Sequence, residues 1–146
     1  YLIAGDGPLK DALNEKCKSL NISKEVIFLG NVDNIQDYLG ASDIFILPSV
    51  KEGLSIALLE AMFMGLGCIV TDVGSNNEAI RNNINGIVVQ PRNKEALKKA
   101  VLFYIENKSL INEYGNRCKK IIESEYAINR YVNDFYKLWD DLDVKN

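Results

Sequence analysis

Histidine is absent from the chain, and with it go imidazole general bases, Ser-His-Asp triads and imidazole metal ligands. Cysteine is scarce and odd in number: Cys17, Cys68 and Cys118 lie far apart in the sequence. Each falls at an apolar position of its segment and reads as a small core residue, with no imidazole nearby to activate a thiolate. Long hydrophobic runs are also lacking, since no stretch approaches the roughly 20 residues needed to cross a bilayer. No signal peptide or basic leader is seen. The chain opens at Tyr1-Leu-Ile-Ala-Gly5 without an initiator Met and reads as a piece of something longer, cut within a strand. Neither charge sign dominates: 17 Lys plus Arg against 20 Asp plus Glu give a net charge of −3. The small basic groups, Lys98-Lys99 and Arg117 with Lys119-Lys120, sit among acids and apolar positions of helical spacing. They read as solvated helix faces, and nucleic acid is not expected as a partner.

What is present suits one soluble globular domain: 146 residues, 47% hydrophobic and 25% charged, enough to bury a core. Short apolar runs alternate with amphipathic stretches, which argues for an α/β fold, a Rossmann-like parallel sheet flanked by helices. Strands are expected at Tyr1 to Ala4, Val26 to Leu29, Asp43 to Leu47, Cys68 to Thr71 and Gly86 to Val89. Between them, Leu9, Ala12, Leu13, Cys17 and Leu20 mark one helix face, with Pro8 in its first turn. A shorter helix is expected from Asp33 to Leu39, and another from near Ser55, whose hydroxyl can cap it, to a left-handed stop at Gly65. Residues 1–91 form the sheet core and 92–146 a helical tail. The end of that tail carries a stripe of Ile128, Tyr131, Val132, Phe135, Leu138, Trp139 and Leu142, expected to pack within the molecule.

The informative stretch is Glu52-Gly-Leu-Ser-Ile-Ala-Leu-Leu-Glu60, which comes after the run Asp43-Ile-Phe-Ile-Leu-Pro-Ser49. The run suits a strand buried on both faces, so the two acids start at a strand's carboxyl end. In open α/β sheets that edge binds ligands, and the N-terminus of the next helix offers free amides to an anion such as a diphosphate. Glu60 falls beside Leu58, Leu59, Ala61 and Met62. A buried carboxylate there needs a partner, which two neighbouring ribose hydroxyls can supply; an exposed helix Glu is the plain alternative.

Other constellations carry less. Gly5-Asp-Gly7-Pro8 succeeds a strand and opens a helix, but the third glycine of a dinucleotide fingerprint would fall at Lys10, so a tight turn explains it better than NAD binding. Asp141 and Asp143 have the spacing of a divalent-cation pair, yet a solvated helix end supplies too few fixed oxygens. Asp72-Val-Gly-Ser-Asn-Asn-Glu78 closes the next strand and fits either a further site loop or a turn with a capping box.

Taken in order, several segments resemble the donor-binding, C-terminal domain of the family 4 glycosyltransferases of the GT-B fold. They are Gly5-Asp-Gly-Pro8, Val26-Ile-Phe-Leu-Gly30, Ala41 to Ser49, Glu52 to Glu60 running on through Ala61-Met62 to Gly65, Asp72-Val-Gly74, Glu78, and Asn85-Gly86-Ile-Val-Val-Gln-Pro91. The likeness covers roughly residues 1 to 106. It departs at Ser55 and Ser75, where a glycine is common, and at Gly67, where a proline is usual. The resemblance implies retaining transfer of a sugar from a nucleotide diphosphate donor to an acceptor hydroxyl, in polysaccharide or glycoconjugate biosynthesis, with no cofactor and no metal. It implies that Glu52 is the catalytic residue of the set and contacts hydroxyls of the donor sugar, a covalent nucleophile being its less favoured role. Glu60 would hold the ribose hydroxyls, main-chain amides of Gly53, Leu54, Ser55 and Ile56 would face the diphosphate and sugar, and Gly30, Asn31 and Val32 would touch the base. The acceptor, a sugar or lipid-linked glycan, would be held by an N-terminal domain absent here. The resemblance also implies a cytoplasmic location, with any approach to the inner membrane surface made through that domain. The strand normally lying between those at Tyr1 and Asp43 is absent too, so neighbouring residues supply it, or the fragment rearranges or self-associates. A non-catalytic nucleotide-binding or interaction module of the same shape stays open as the alternative.

Overall fold

A computed structural model describes residues 1–127, 130, 132, 133, 136 and 137. Five strands alternate with helices: β1 Leu2–Ala4, α1 Lys10–Ser19, β2 Ile27–Gly30, α2 Ile35–Gly40, β3 Ile44–Leu47, α3 Ile56–Met64, β4 Gly67–Thr71, α4 Asn76–Ala79 and β5 Gly86–Val89, then α5 Lys94–Glu106 and α6 Lys108–Glu125. The order and the parallel pairing make this a Rossmann-like α/β fold with a helical C-terminal region, as the apolar runs require. The remainder of the terminal stripe, Ile128, Tyr131, Phe135, Leu138, Trp139 and Leu142, lies outside the described residues, as do Asp141 and Asp143; Val132 is exposed.

Contacts gather the chain into two compact units, Tyr1–Tyr38 and Leu39–Asn146. In the first, β1 and β2 pair in parallel, Leu2 opposite Ile27 and Ile3 opposite Phe28, with a register shift before Ala4 meets Gly30. Helix α1 begins at Lys10 with Leu9 as its N-cap, so Pro8 stands before the helix rather than in its first turn. Its apolar residues Leu9 and Leu13 are exposed, as is Leu20 beyond its end, and no residue of α1 is buried. A two-stranded sheet offers too little surface to cover a helix face.

In the second unit β3, β4 and β5 form a parallel sheet with β4 in the middle. All five residues of β4, Gly-Cys-Ile-Val-Thr, are buried, the pattern of a central strand covered on both faces. Ile69 joins Ile87, Val89, Ala100, Tyr104 and Tyr114 in the core, where burying each Ile or Val side chain contributes about 1.5–3 kcal/mol. Tyr104 and Tyr114 meet edge to face, centroids 6.2 Å apart at 73°, and each hydroxyl finds a carbonyl: Tyr104 donates to Cys68 O at 3.3 Å and Tyr114 to Asn83 O at 3.1 Å. Cys68 and Cys118 are buried free thiols, as expected of small core residues. Asn85 is buried without an orphan atom: its Oδ1 accepts from Arg81 N at 2.7 Å and its Nδ2 donates to Ala79 O at 2.9 Å.

Helix α3 has the expected ends. Ser55 caps it and Gly65 closes it at φ 80°, a left-handed conformation that costs glycine little. Leu58, Ala61 and Met62 form its buried face, while α6 crosses its C-terminal end. There Gly115 lies so close to Gly65 that a Cβ at position 115 would stand 1.9 Å from the Gly65 carbonyl oxygen.

This packing has two measurable consequences. Gly115→Ala forces α6 off the end of α3 and should cost about 3 kcal/mol or more in a denaturant titration, with secondary structure outside α6 retained. Burial pushes the Tyr104 phenol well above its ordinary range. The folded state then keeps a proton that the unfolded chain releases, so stability is complete below the unfolded value and falls as pH rises past about 10, by about 1.4 kcal/mol per pH unit. Tyr104→Phe should reduce the alkaline loss without abolishing it, because the buried Cys68 thiol is also pushed up.

Candidate functional site

Each strand of the second unit ends at the same edge, where the loops leaving β3 and β4 are polar. After Leu47 the chain passes through Pro48 and Ser49 to Glu52, then enters α3 at Ile56. After Thr71 it passes through Asp72, Val73, Gly74 and Ser75 into α4. The two loops are stitched together. The buried Thr71 hydroxyl donates to Ser49 O at 2.6 Å and lies 3.3 Å from Leu47 O. On the far side Ser75 N donates to Gly53 O at 3.1 Å. Between these anchors Gly74, at φ 54°, presses on the main chain of Glu52 and Gly53: a Cβ there would lie 2.2 Å from Glu52 O and 2.7 Å from Gly53 O. Only glycine satisfies both the backbone angle and the contact.

Glu52 is half-buried in this loop. Its Oε1 accepts from the Ser49 hydroxyl at 2.7 Å, a charge-assisted bond that fixes the carboxylate. Glu60 lies on α3 opposite the buried residues Leu58, Ala61 and Met62, sharing its face with the exposed Ile56 and Phe63. It is half-buried and has no hydrogen bond or ion pair to a described residue. It is therefore neither the fully buried acid nor the fully exposed one that the sequence allowed. The N-terminus of α3 supplies amides. Ser55 is nearly buried, its Oγ accepts from Leu58 N at 3.4 Å, and the first intrahelical bond runs from Leu59 N to Ser55 O. The amides of Ile56 and Ala57 consequently have no intrahelical acceptor and sit where the helix dipole favours an anion. Gly53 and Leu54 are exposed at the approach to this helix end.

Gly30, Asn31 and Val32 belong to the first unit. Gly30 ends β2, and its carbonyl accepts from Gly5 N at 2.7 Å, which ties this turn to the Gly5-Asp-Gly7-Pro8 loop. Lys10, paired with Asp6 at 3.7 Å, approaches Gly30. Sequence reasoning missed Ser49, Thr71 and the contact role of Gly74. Each acts across a gap of more than twenty residues or through a loop bond, and no local periodicity marks such a role. Among the described residues no group of three or more acidic or cysteine side chains is placed to hold a metal ion. Ser75 makes no capping bond with its side chain, so the capping box suggested by Ser75 and Glu78 does not form.

The model of the family described as glycosyl transferases group 1 matches residues 1–124. Among curated relatives, UDP-Gal:alpha-D-GlcNAc-diphosphoundecaprenol alpha-1,3-galactosyltransferase of Escherichia coli is 30% identical over 145 residues, covering 99% of this chain and 37% of that protein. Among solved structures, the C-terminal domain of a glycosyl transferase group 1 family protein (LpcC) from Francisella tularensis superposes with a TM-score of 0.76 at 27% identity, covering 82% of this chain and 63% of that one. Anabaena Alr3699/HepE in complex with UDP superposes with a TM-score of 0.88 at 18% identity, covering 96% of this chain and 40% of that one. The chain spans 34 to 39% of the length of three curated relatives it matches.

The stitched loops give one expected outcome. Gly74→Ala displaces the Glu52–Gly53 main chain and should lower stability by about 2–4 kcal/mol, since strain at the left-handed backbone adds to the overlap. Amide exchange should rise in residues 49–55 and 72–76 before it rises in β4.

Proposed function

Because the chain belongs to the glycosyl transferases group 1 family, we propose that it is the donor-binding domain of a retaining glycosyltransferase. The enzyme moves a sugar from a nucleotide diphosphate donor to an acceptor hydroxyl in polysaccharide or glycoconjugate biosynthesis. The observation that carries this reading is the half-buried Glu52 carboxylate, held by Ser49 in the loop that leads into α3, whose first amides have no intrahelical acceptor. Carboxylates accept hydrogen bonds from neutral hydroxyls, and helix N-terminal amides accept anions. A molecule with hydroxyl-rich ends and an anionic centre fits that alternation, and a nucleotide diphosphate sugar is such a molecule.

In this reading Glu52 takes hydroxyls of the donor sugar and Glu60 those of the ribose. Amides of Gly53, Leu54, Ser55 and Ile56 meet the diphosphate and sugar, and the turn at Gly30, Asn31 and Val32 meets the base. No metal or other cofactor is needed for these contacts. As the glycosidic bond breaks, negative charge grows on the departing phosphate, where fixed amide dipoles stabilise it most. The same phosphate accepts the proton of the incoming hydroxyl, so a chain without histidine can carry the step. The acceptor, a sugar or lipid-linked glycan, is held by a further domain of the whole protein, on the cytoplasmic side of the membrane. Among the described residues no helix is long and apolar enough to cross it.

Calorimetric titration of the full-length protein with UDP-, GDP- and ADP-sugars tests the reading. Uridine nucleotides come first because the E. coli relative and the Anabaena complex carry uridine in their names. Glu60→Ala should weaken binding of the preferred nucleotide about 10- to 100-fold, the value of hydrogen bonds to a charged group. Glu52→Gln should lower donor turnover about 100-fold or more with smaller loss of nucleotide affinity. Undiminished nucleotide binding by Glu60→Ala removes the ribose assignment, and binding without turnover by the intact protein favours a non-catalytic module.

A further inference from the structure

Ser49 has no assigned contact with the donor in the proposed function, yet its hydroxyl holds the Glu52 carboxylate. Three contacts fix it there. Its main chain is pinned from the neighbouring strand by the Thr71 hydroxyl, 3% exposed, which donates to Ser49 O at 2.6 Å. Its own hydroxyl donates to Glu52 Oε1 at 2.7 Å. Beyond Glu52, the loop is held by Ser75 N on Gly53 O at 3.1 Å. A glutamate on a loop ordinarily samples many rotamers, and ordering it when a ligand arrives costs affinity. Here the bond to Ser49 supplies part of that ordering before any ligand binds.

The bond also divides the carboxylate. Oε1 is engaged by Ser49, whereas Oε2 has no bond to a described residue. We infer that Ser49 is a positioning residue for the donor sugar: it sets the Glu52 carboxylate so that Oε2 accepts a single sugar hydroxyl, and so acts on recognition of the sugar and not of the nucleotide. This rests on the proposed role of Glu52, and it specifies how that residue distinguishes a nucleotide sugar from a bare nucleotide.

The test compares two affinities in the full-length protein: UDP-glucose against UDP, and GDP-mannose against GDP, measured calorimetrically for wild type, Ser49→Ala, Ser49→Thr, Glu52→Ala and the Ser49→Ala/Glu52→Ala double variant. Ser49→Ala should weaken the nucleotide sugar by up to about tenfold while leaving the bare nucleotide within about twofold, because the Glu52 side chain must then be ordered on binding. Ser49→Thr, which keeps the hydroxyl, should restore most of it. In the Glu52→Ala background Ser49→Ala should add nothing, because residues acting through one contact are non-additive. Equal weakening of sugar and bare nucleotide, or a full Ser49→Ala penalty persisting without Glu52, overturns the proposal and leaves Glu52 in place. If Glu52→Ala keeps the whole preference for nucleotide sugar, or the wild type shows no such preference, the role of Glu52 falls and the proposal falls with it.

Discussion

The hydroxyl of Thr71 is the constraint on which the candidate site depends. A central strand buried on both faces has no solvent for a polar side chain, and a buried hydroxyl without a partner costs on the order of 1–3 kcal/mol. Thr71 is 3% exposed and ends β4, so it must find an acceptor within the sheet edge. The acceptor it takes is the main chain of Ser49, one strand away. That choice fixes where the loop after β3 begins its turn. The Thr71 carbonyl accepts from the buried Asn76 Nδ2 at 3.2 Å, which fixes the loop after β4 as well. The position of Glu52 is therefore a consequence of satisfying one threonine.

The opposite end of β4 is built from different physics. There Gly67 and Cys68 pack against Tyr104 and Ile111, and the α3–α6 crossing brings Gly115 onto the Gly65 carbonyl. Contact of this kind tolerates little change of volume, because interiors are packed near crystal density. At the carboxyl end the loops are held by a few hydrogen bonds and by Gly74. Regions with fewer apolar contacts open more readily than the core, so the arrangement places rigidity beneath the site and adaptability at its mouth. Close glycine packing on one side and hydrogen-bonded loops on the other leave β4 to carry alignment between them.

Much of this was legible in the sequence because it depends on local pattern. Apolar runs bounded by Gly, Pro and Ser marked all five strands, and Ser55 and Gly65 marked both ends of α3. The alternation predicted parallel pairing, though the strands form two sheets, β1–β2 and β3–β4–β5, and not one; the order of motifs predicted the family. What escaped was set by contacts between distant segments. Thr71 reaches Ser49 across 22 residues, and Gly74 reaches Glu52 across as many. Nothing in the spacing of either pair distinguishes them from an ordinary strand end and an ordinary turn. The start of α1 was misplaced for another reason. Pro8 is well suited to a first helical turn, but Leu9 takes the cap and the helix begins at Lys10, a choice between adjacent residues that propensity alone does not resolve.

The contrast between the two acids of the Glu52–Glu60 stretch comes from the same local geometry. Glu52 has a protein donor; among the described residues Glu60 has none, and it shares a helix face with the exposed Ile56 and Phe63. Four residues of helix separate Ile56 from Glu60, a rise of about 6 Å, so free amides lie between the two carboxylates along the chain. An anion placed near either acid is repelled, and one placed at the amides is attracted, while neutral hydroxyl donors have the reverse preference. In the proposed reading, charge would place hydroxyl-bearing groups at the acids and phosphate between them. A ligand with its anionic group at one end cannot satisfy that sequence of sites, whereas one with a diphosphate joining two polyhydroxylated halves can. Which half meets which acid is then left to contacts with the base and the sugar ring.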